Sequence, residues 1–279
     1  MSSTVRVSSW QLWIRQILAI MQLEIRKNFL GRRALLLYLI AVLPLIMLLL
    51  LALFPPPTDE MENFSELAQV YAAVYGGLIL RTLVFFGCGW VFMNLFRGEV
   101  VDRSLHYYFL APVRLEVLIV GKYLSGLIAT ITLFSITTVG SMLILYFWLF
   151  PSESSSFFFG GAGTRHLLSY LSVTILACIG YGAMFLIVGL FFRNPIIPAL
   201  FLYGWEWINF LLPPLLKKIS VIHYLQSLVP VPMSEGPFAV LVEPTPAWIA
   251  VPSLLIFTAV VLTLASLYIK QMEISYAGE

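Results

Sequence analysis

The sequence predicts an all-α polytopic membrane protein with six transmembrane helices. Three observations carry that prediction: 11% of the 279 residues are charged, 60% are hydrophobic, and the apolar residues gather in six long runs. Soluble domains carry about a quarter charged residues, so a mean hydropathy of +0.94 excludes an ordinary water-soluble core. The net charge of +2 singles out no partner, because charge asymmetry between loops matters more than the sum. Nothing in the composition points to nucleic acid.

The elements follow in order within a single domain, 1–279. Residues 9–31 mix Trp10, Leu12, Trp13, Ile17, Ile20, Leu23 and Phe29 with Arg15, Glu24, Arg26 and Lys27 and hold no long charge-free run. This is the pattern of an N-terminal interfacial helix lying among lipid headgroups; a disordered basic tail is the plainer alternative. Spans are expected at 34–54, 70–96, 123–150, 167–192, 196–216 and 247–269, each able to cross about 30 Å of hydrocarbon. The second and third exceed the minimum, so they are expected to tilt or to run on into water. Residues 220–246 carry Pro230, Pro232, Pro237, Pro244 and Pro246 around patches too apolar for a free loop and too short to cross. They predict a re-entrant outer segment, with a proline-stiffened loop as the alternative.

Basic residues decide orientation. Arg6, Arg15, Arg26, Lys27, Arg32 and Arg33 precede the first span, and Arg97, Arg103, Arg114 and Lys122 follow the second. Only Arg165, Lys217 and Lys218 fall on the other side, where the first loop holds Asp59, Glu60, Glu62 and Glu66. The positive-inside rule then puts both termini in the cytoplasm of a multi-pass protein of the cytoplasmic (inner) membrane. The N-terminus lacks the pattern of a removable signal peptide, so the mature chain is expected to start near Met1.

Cys88 and Cys178 lie in apolar runs and read as small hydrophobes, with no disulfide framework or metal site indicated. His106, His166 and His223 read as scattered among water-facing loops. Neither a His-Glu-x-x-His nor a Gly-x-Ser-x-Gly pattern occurs, so no catalytic residues are expected.

Two ionisable residues stand deep in predicted spans. Arg81 lies about eleven residues into the second and Glu206 about eleven into the fifth, both near the midplane at about 1.5 Å per residue. Either left alone in hydrocarbon costs a few kcal/mol, so they are read as an intramembrane pair or as residues facing a substrate path. Gly76 and Gly77, Gly87 and Gly89, and Gly180 and Gly182 read as sites of close helix approach.

The longest aqueous segment, 96–122, separates the second and third spans. Helix continuing from the second span would stop at Ala111-Pro112, and Val100, Ser104, Tyr107 or Tyr108, and Ala111 would share one face. Such a helix either enters a groove on a cytoplasmic partner or rests on the inner leaflet.

Glu99, Leu105, Pro112, Val113, Arg114, Gly121 and Lys122 resemble the first inner loop of ABC-2-type ABC exporter membrane subunits, of the type V-like class. The family's Gly-Thr is Arg103-Ser104 here, and the Ser of its Pro-Val-Ser-Arg is missing. The resemblance implies that 99–111 is a coupling helix docking on a separate ABC ATPase subunit, with Glu99, Asp102, Arg103, Leu105, Tyr107, Tyr108, Pro112 and Arg114 as coupling residues. It implies a permease homodimer, or a pseudo-dimer with a paralogous permease, among membrane lipids. By resemblance alone, Tyr203, Trp205 and Asn209 are lining candidates beside Arg81 and Glu206.

The chain has no Gly-x-x-x-x-Gly-Lys-Ser/Thr; its glycine cluster, Gly160-Gly161-Ala162-Gly163, precedes Thr164-Arg165 without a lysine. ATP and Mg are therefore expected on the partner ATPase, with no cofactor bound here. The expected function is export of an amphiphilic or membrane-borne substrate. The alternative is a force-transmitting or scaffold subunit acting on an outer-side protein partner without transporting a solute.

Overall fold

The computed structural model describes residues 9–31, 34–54, 64–101, 114–192, 194–232 and 243–269, with backbone alone at 9 and 98–101. Every regular element among them is helical. Helix α1 spans Ser9–Leu30 and α2 Ala34–Leu53. Next, α3 (Leu67–Val74) runs without a break through a π-helical stretch (Tyr75–Val84) into α4 (Phe85–Val101). Helices α5 (Leu115–Leu149), α6 (Pro151–Phe159) and α7 (Ala162–Phe191) follow. After them come α8 (Ile196–Trp207), which tightens into a 3-10 turn at Ile208–Leu211, the short α9 (Pro214–Lys217) and α10 (Val221–Gln226), and α11 (Ala247–Ile269).

Five stretches are long and apolar enough to cross a membrane: Ala34–Leu53, Leu67–Arg97, Leu115–Leu149, Ala162–Phe191 and Ala247–Ile269. The chain is a helical, multi-pass membrane protein. The predicted fifth span, 196–216, takes another form. Its helix ends at Leu211, and Leu212 is extended (φ −75°, ψ 149°) because it precedes Pro213, which disfavours helix at that residue. The third span begins eight residues earlier than predicted, at Leu115, and carries Glu116 and Lys122 inside the helix.

Helix α7 sits at the centre, against α4, α5, α6, α10 and α11. Its apolar window is 72% buried, against 28% for α2 and for α11; α7 is therefore interior, while α2 and α11 turn most of their surface outward. Lipid tails are as apolar as Leu, so helices in a membrane associate through close packing and hydrogen bonds. Both devices are present. The Phe92 ring of α4 is wedged between Gly126 of α5 and Gly182 of α7, where an added Cβ would stand 2.8 and 2.6 Å from it.

Hydroxyls supply the hydrogen bonds. Tyr71 donates to the Thr138 carbonyl at 3.0 Å, and Tyr75 to the Tyr170 carbonyl at 3.0 Å. Tyr71 also meets Ser141 at 3.1 Å, Tyr75 meets Thr174 at 2.9 Å, and Thr138 meets Thr174 at 3.0 Å. This chain of side chains fastens α3 and the π-helical stretch to α5 and α7. In α2, Pro44 removes one backbone donor and disturbs the preceding turn. Thr137 of α5 donates to the Ala41 carbonyl at 2.8 Å, one residue past the Ile40 carbonyl that Pro44 leaves without its amide.

Candidate functional site

The first cluster lies where α4 leaves the bundle and α5 enters it. Gly121 of α5 has no side chain, and α1 rests on it; an added Cβ would meet Ile20 at 3.0 Å. One residue on, Lys122 is fully buried. Its ammonium donates to Glu24 of α1 at 3.0 Å and to the Leu95 carbonyl of α4 at 2.8 Å, with the Phe96 ring 5.2 Å away. Lys27 approaches the same Glu24 oxygen at 3.2 Å from the surface. Burial pushes the Glu24 carboxyl up, but the charges of Lys122 and Lys27 together outweigh it and hold the group below its ordinary value. Immediately before α5, the Arg114 guanidinium covers the Trp13 ring of α1 at 4.7 Å, a cation–π contact. One ammonium thus ties three helices at the foot of the segment that joins α4 to α5.

The second cluster lies on the π-helical stretch and α8. Wide turns of this kind occur often at functional sites, and this one carries Arg81. The guanidinium lies 5.9 Å from the Trp207 ring centre, Trp207 is 6.1 Å from Tyr203, and the Tyr203 hydroxyl is 3.5 Å from that of Thr82. Phe85 and Phe86 pack on Tyr203 at 5.4 and 4.6 Å.

Glu206 lies on the same helix, α8. Its carboxylate accepts the Val221 and Ile222 amides at 3.1 and 2.9 Å and the Tyr181 hydroxyl at 3.2 Å. Those two amides open α10 and lack acceptors within it, so Glu206 satisfies a neighbouring segment's orphan donors. Because residue 221 returns to residue 206, the chain reverses direction after Pro213. The described donors to Glu206 are neutral, and the described ring contact of Arg81 is with Trp207. Asn209 is buried and donates to the Lys217 carbonyl at 3.3 Å, bracing the same reversal. Trp205 is half-buried.

No family model, curated protein or solved structure matches the chain.

Among the predicted coupling residues, Glu99 falls in the last turns of α4, and Arg114 is the residue before α5. Asp102, Arg103, Leu105, Tyr107, Tyr108 and Pro112 lie outside the described residues, as does most of the 99–111 helix. The structure brings Arg81, Tyr203 and Trp207 together, and Phe85, packed on both Tyr203 and Tyr181, joins this cluster to Glu206 through the Tyr181 hydroxyl.

Three readings from the sequence are corrected. Lys122 is a buried helical residue, because Glu24 and the Leu95 carbonyl replace the water it would lose. His223 lies within α10, 7% exposed, its Nε2 3.1 Å from the Thr245 hydroxyl, and His166 lies within α7. Lys217 is buried, its segment drawn inward by the reversal that Asn209 and Glu206 hold. Glu24 escaped notice as a site residue, although it is the sole acid before Asp59 in a stretch rich in Arg and Lys. A solitary carboxylate on a largely apolar helix was the available signal. Among the described residues, no cluster of His, Cys, Asp or Glu could hold a metal.

Proposed function

We propose that this chain is the membrane-spanning permease subunit of an ATP-binding cassette exporter of the ABC-2 type. It carries an amphiphilic or membrane-borne substrate outward, and a separate ATPase subunit supplies the energy. The observation that carries the proposal is the three-helix joint at Lys122. Helical rods of 31 and 35 residues leave the bundle together at the segment 102–113, and their feet are bound to each other and to α1. Displacement imposed on that segment passes as a rigid movement into the π-helical stretch and the Arg81, Tyr203 and Trp207 cluster.

Counting the α8 region as a crossing gives six and puts both termini on one side, which the distribution of Lys and Arg makes the cytoplasm in this reading. Twelve α residues, four 3-10 residues and the two extended residues after them reach roughly 33 Å, enough for the hydrocarbon. The 99–111 segment is the coupling helix in this reading. Two copies, or one copy and a paralogue, enclose the path, with Arg81, Tyr203 and Trp207 facing it, while Glu206 and Asn209 hold the returning segment.

The test is isolation of the chain from solubilised membranes, followed by an ATPase assay of the complex with candidate amphiphiles. Co-purification of a soluble ATPase stimulated by one of them is the expected result. A chain that works unaided overturns the proposal. An active ATPase complex that moves no solute in proteoliposomes but needs an outer-side protein favours force transmission. Glu99→Arg combined with Arg103→Glu should release the ATPase while the permease stays inserted.

A further inference from the structure

We propose that the cleft between the α9–α10 turn and α11 binds an anionic membrane lipid, headgroup at Lys218 and upper acyl chain against α11. The cleft measures about 370 Å³, within the range of small-molecule sites. Lys218 is the charged residue among those that line it, and no carboxylate stands beside it in that lining. Ser220, Tyr224 and Ser253 add hydroxyl-bearing side chains. The remaining wall is apolar, formed chiefly by Val221, Leu254 and Phe257.

The surroundings decide which occupant fits. Leu215 and Ile219, on either side of Lys218 in the chain, are largely exposed, so this turn presents apolar side chains to lipid with one cation among them. Trp248, the second residue of α11, is also exposed, and tryptophan at a helix end marks the boundary between headgroups and hydrocarbon. Ser253 lies five residues further, about 7.5 Å deeper. The α11 wall of the cleft therefore begins just below headgroup depth, within the reach of a lysine stem, and continues beside Leu254 and Phe257 into the acyl region. An ammonium pairs with phosphate as a point charge, and its long stem lets it reach the interface. A zwitterionic lipid brings its own cation to compete with Lys218, and a free phosphate leaves the apolar wall uncovered.

This inference does not rest on the permease reading, because it is measured on the full chain alone. The purified protein in a neutral detergent is examined by native mass spectrometry and thermal unfolding. The three additions are phosphatidylglycerol, phosphatidylcholine of the same acyl chains, and inorganic phosphate. Phosphatidylglycerol is expected to stay bound and to raise the unfolding midpoint, the other two to do neither. Lys218→Gln should weaken phosphatidylglycerol about five-fold, the effect of one lysine near anionic headgroups. Ser253→Phe should block it by filling the cleft, and Arg15→Gln, an exposed cation on α1, should leave it unchanged. Equal retention of both lipids overturns the proposal, as does undiminished binding to Lys218→Gln and Ser253→Phe. Competition by inorganic phosphate alone would reassign the cleft to a free anion and overturn it too.

Discussion

Lys122 and Glu24 show what a buried charge demands. Desolvating either costs several kcal/mol, and only the partner and added hydrogen bonds offset that cost. Lys122→Ala, which leaves Glu24 4% exposed without its main partner, should lower stability by about 3–5 kcal/mol in denaturant titrations of the solubilised protein. Glu24→Leu combined with Lys122→Met should recover most of that loss, since an apolar pair of similar volume leaves no charge stranded. Because the Glu24 carboxyl is held below its ordinary value of 4.5, its contribution is complete above about pH 4.5 and disappears as pH falls through the lower, folded value. Unfolding midpoints measured from pH 7 to pH 3 should trace that loss in the native protein and not in Glu24→Gln. Lys122 was legible as a charge and as half of a Gly-Lys pair. Its burial was not, because the partner sits 98 residues earlier in the chain, and sequence distance hides such a contact.

Among the elements, apolar length was the readable quantity, and α11 falls where its hydropathy predicts, at 247–269. The fifth predicted span shows where that reading stops: a run of apolar residues gives no warning of a reversal, and Pro213 was the local sign. Glu206 was noticed as an intramembrane carboxylate, yet its acceptor role depends on backbone amides, which leave no trace in residue identity. Glu206→Ala should release Val221 and Ile222, so hydrogen exchange across 214–228 should quicken, with Glu206→Gln intermediate because its carbonyl still accepts. Unchanged exchange in Glu206→Ala would remove the bracing role. Of the glycines read as places of close approach, Gly87, Gly180 and Gly182 do lie against neighbouring side chains, whereas Gly77 has nothing within 4 Å; the opposite numbers of the close ones were not legible. Gly182→Ala should cost about 1–3 kcal/mol by overpacking against Phe92, and Phe92→Leu in the same chain should return part of it; thermal unfolding of the three variants decides.

For the molecule as a whole, α5 is the measure of scale. Its 35 residues extend about 50 Å, well beyond the hydrocarbon thickness, so its ends emerge on opposite sides. A membrane-impermeant thiol reagent applied to intact cells should label Ser155→Cys, whereas Glu116→Cys should react only after permeabilisation. Labelling of both from one side would refute the crossing, and the reversed pattern would refute the orientation. The class of protein was legible in composition because the solvent is lipid and lipid constrains composition strongly. The way its two ends are fastened was not legible, and the ends differ in kind. About 24 Å along α5 from Lys122, the Thr138 and Ser141 region is closed by hydroxyls that carry no charge in acid, whereas the joint at Lys122 depends on an ionised carboxylate. Acidification should therefore unzip the protein directionally, loosening α1 first while the tyrosine lattice keeps α3 and α7 clasped.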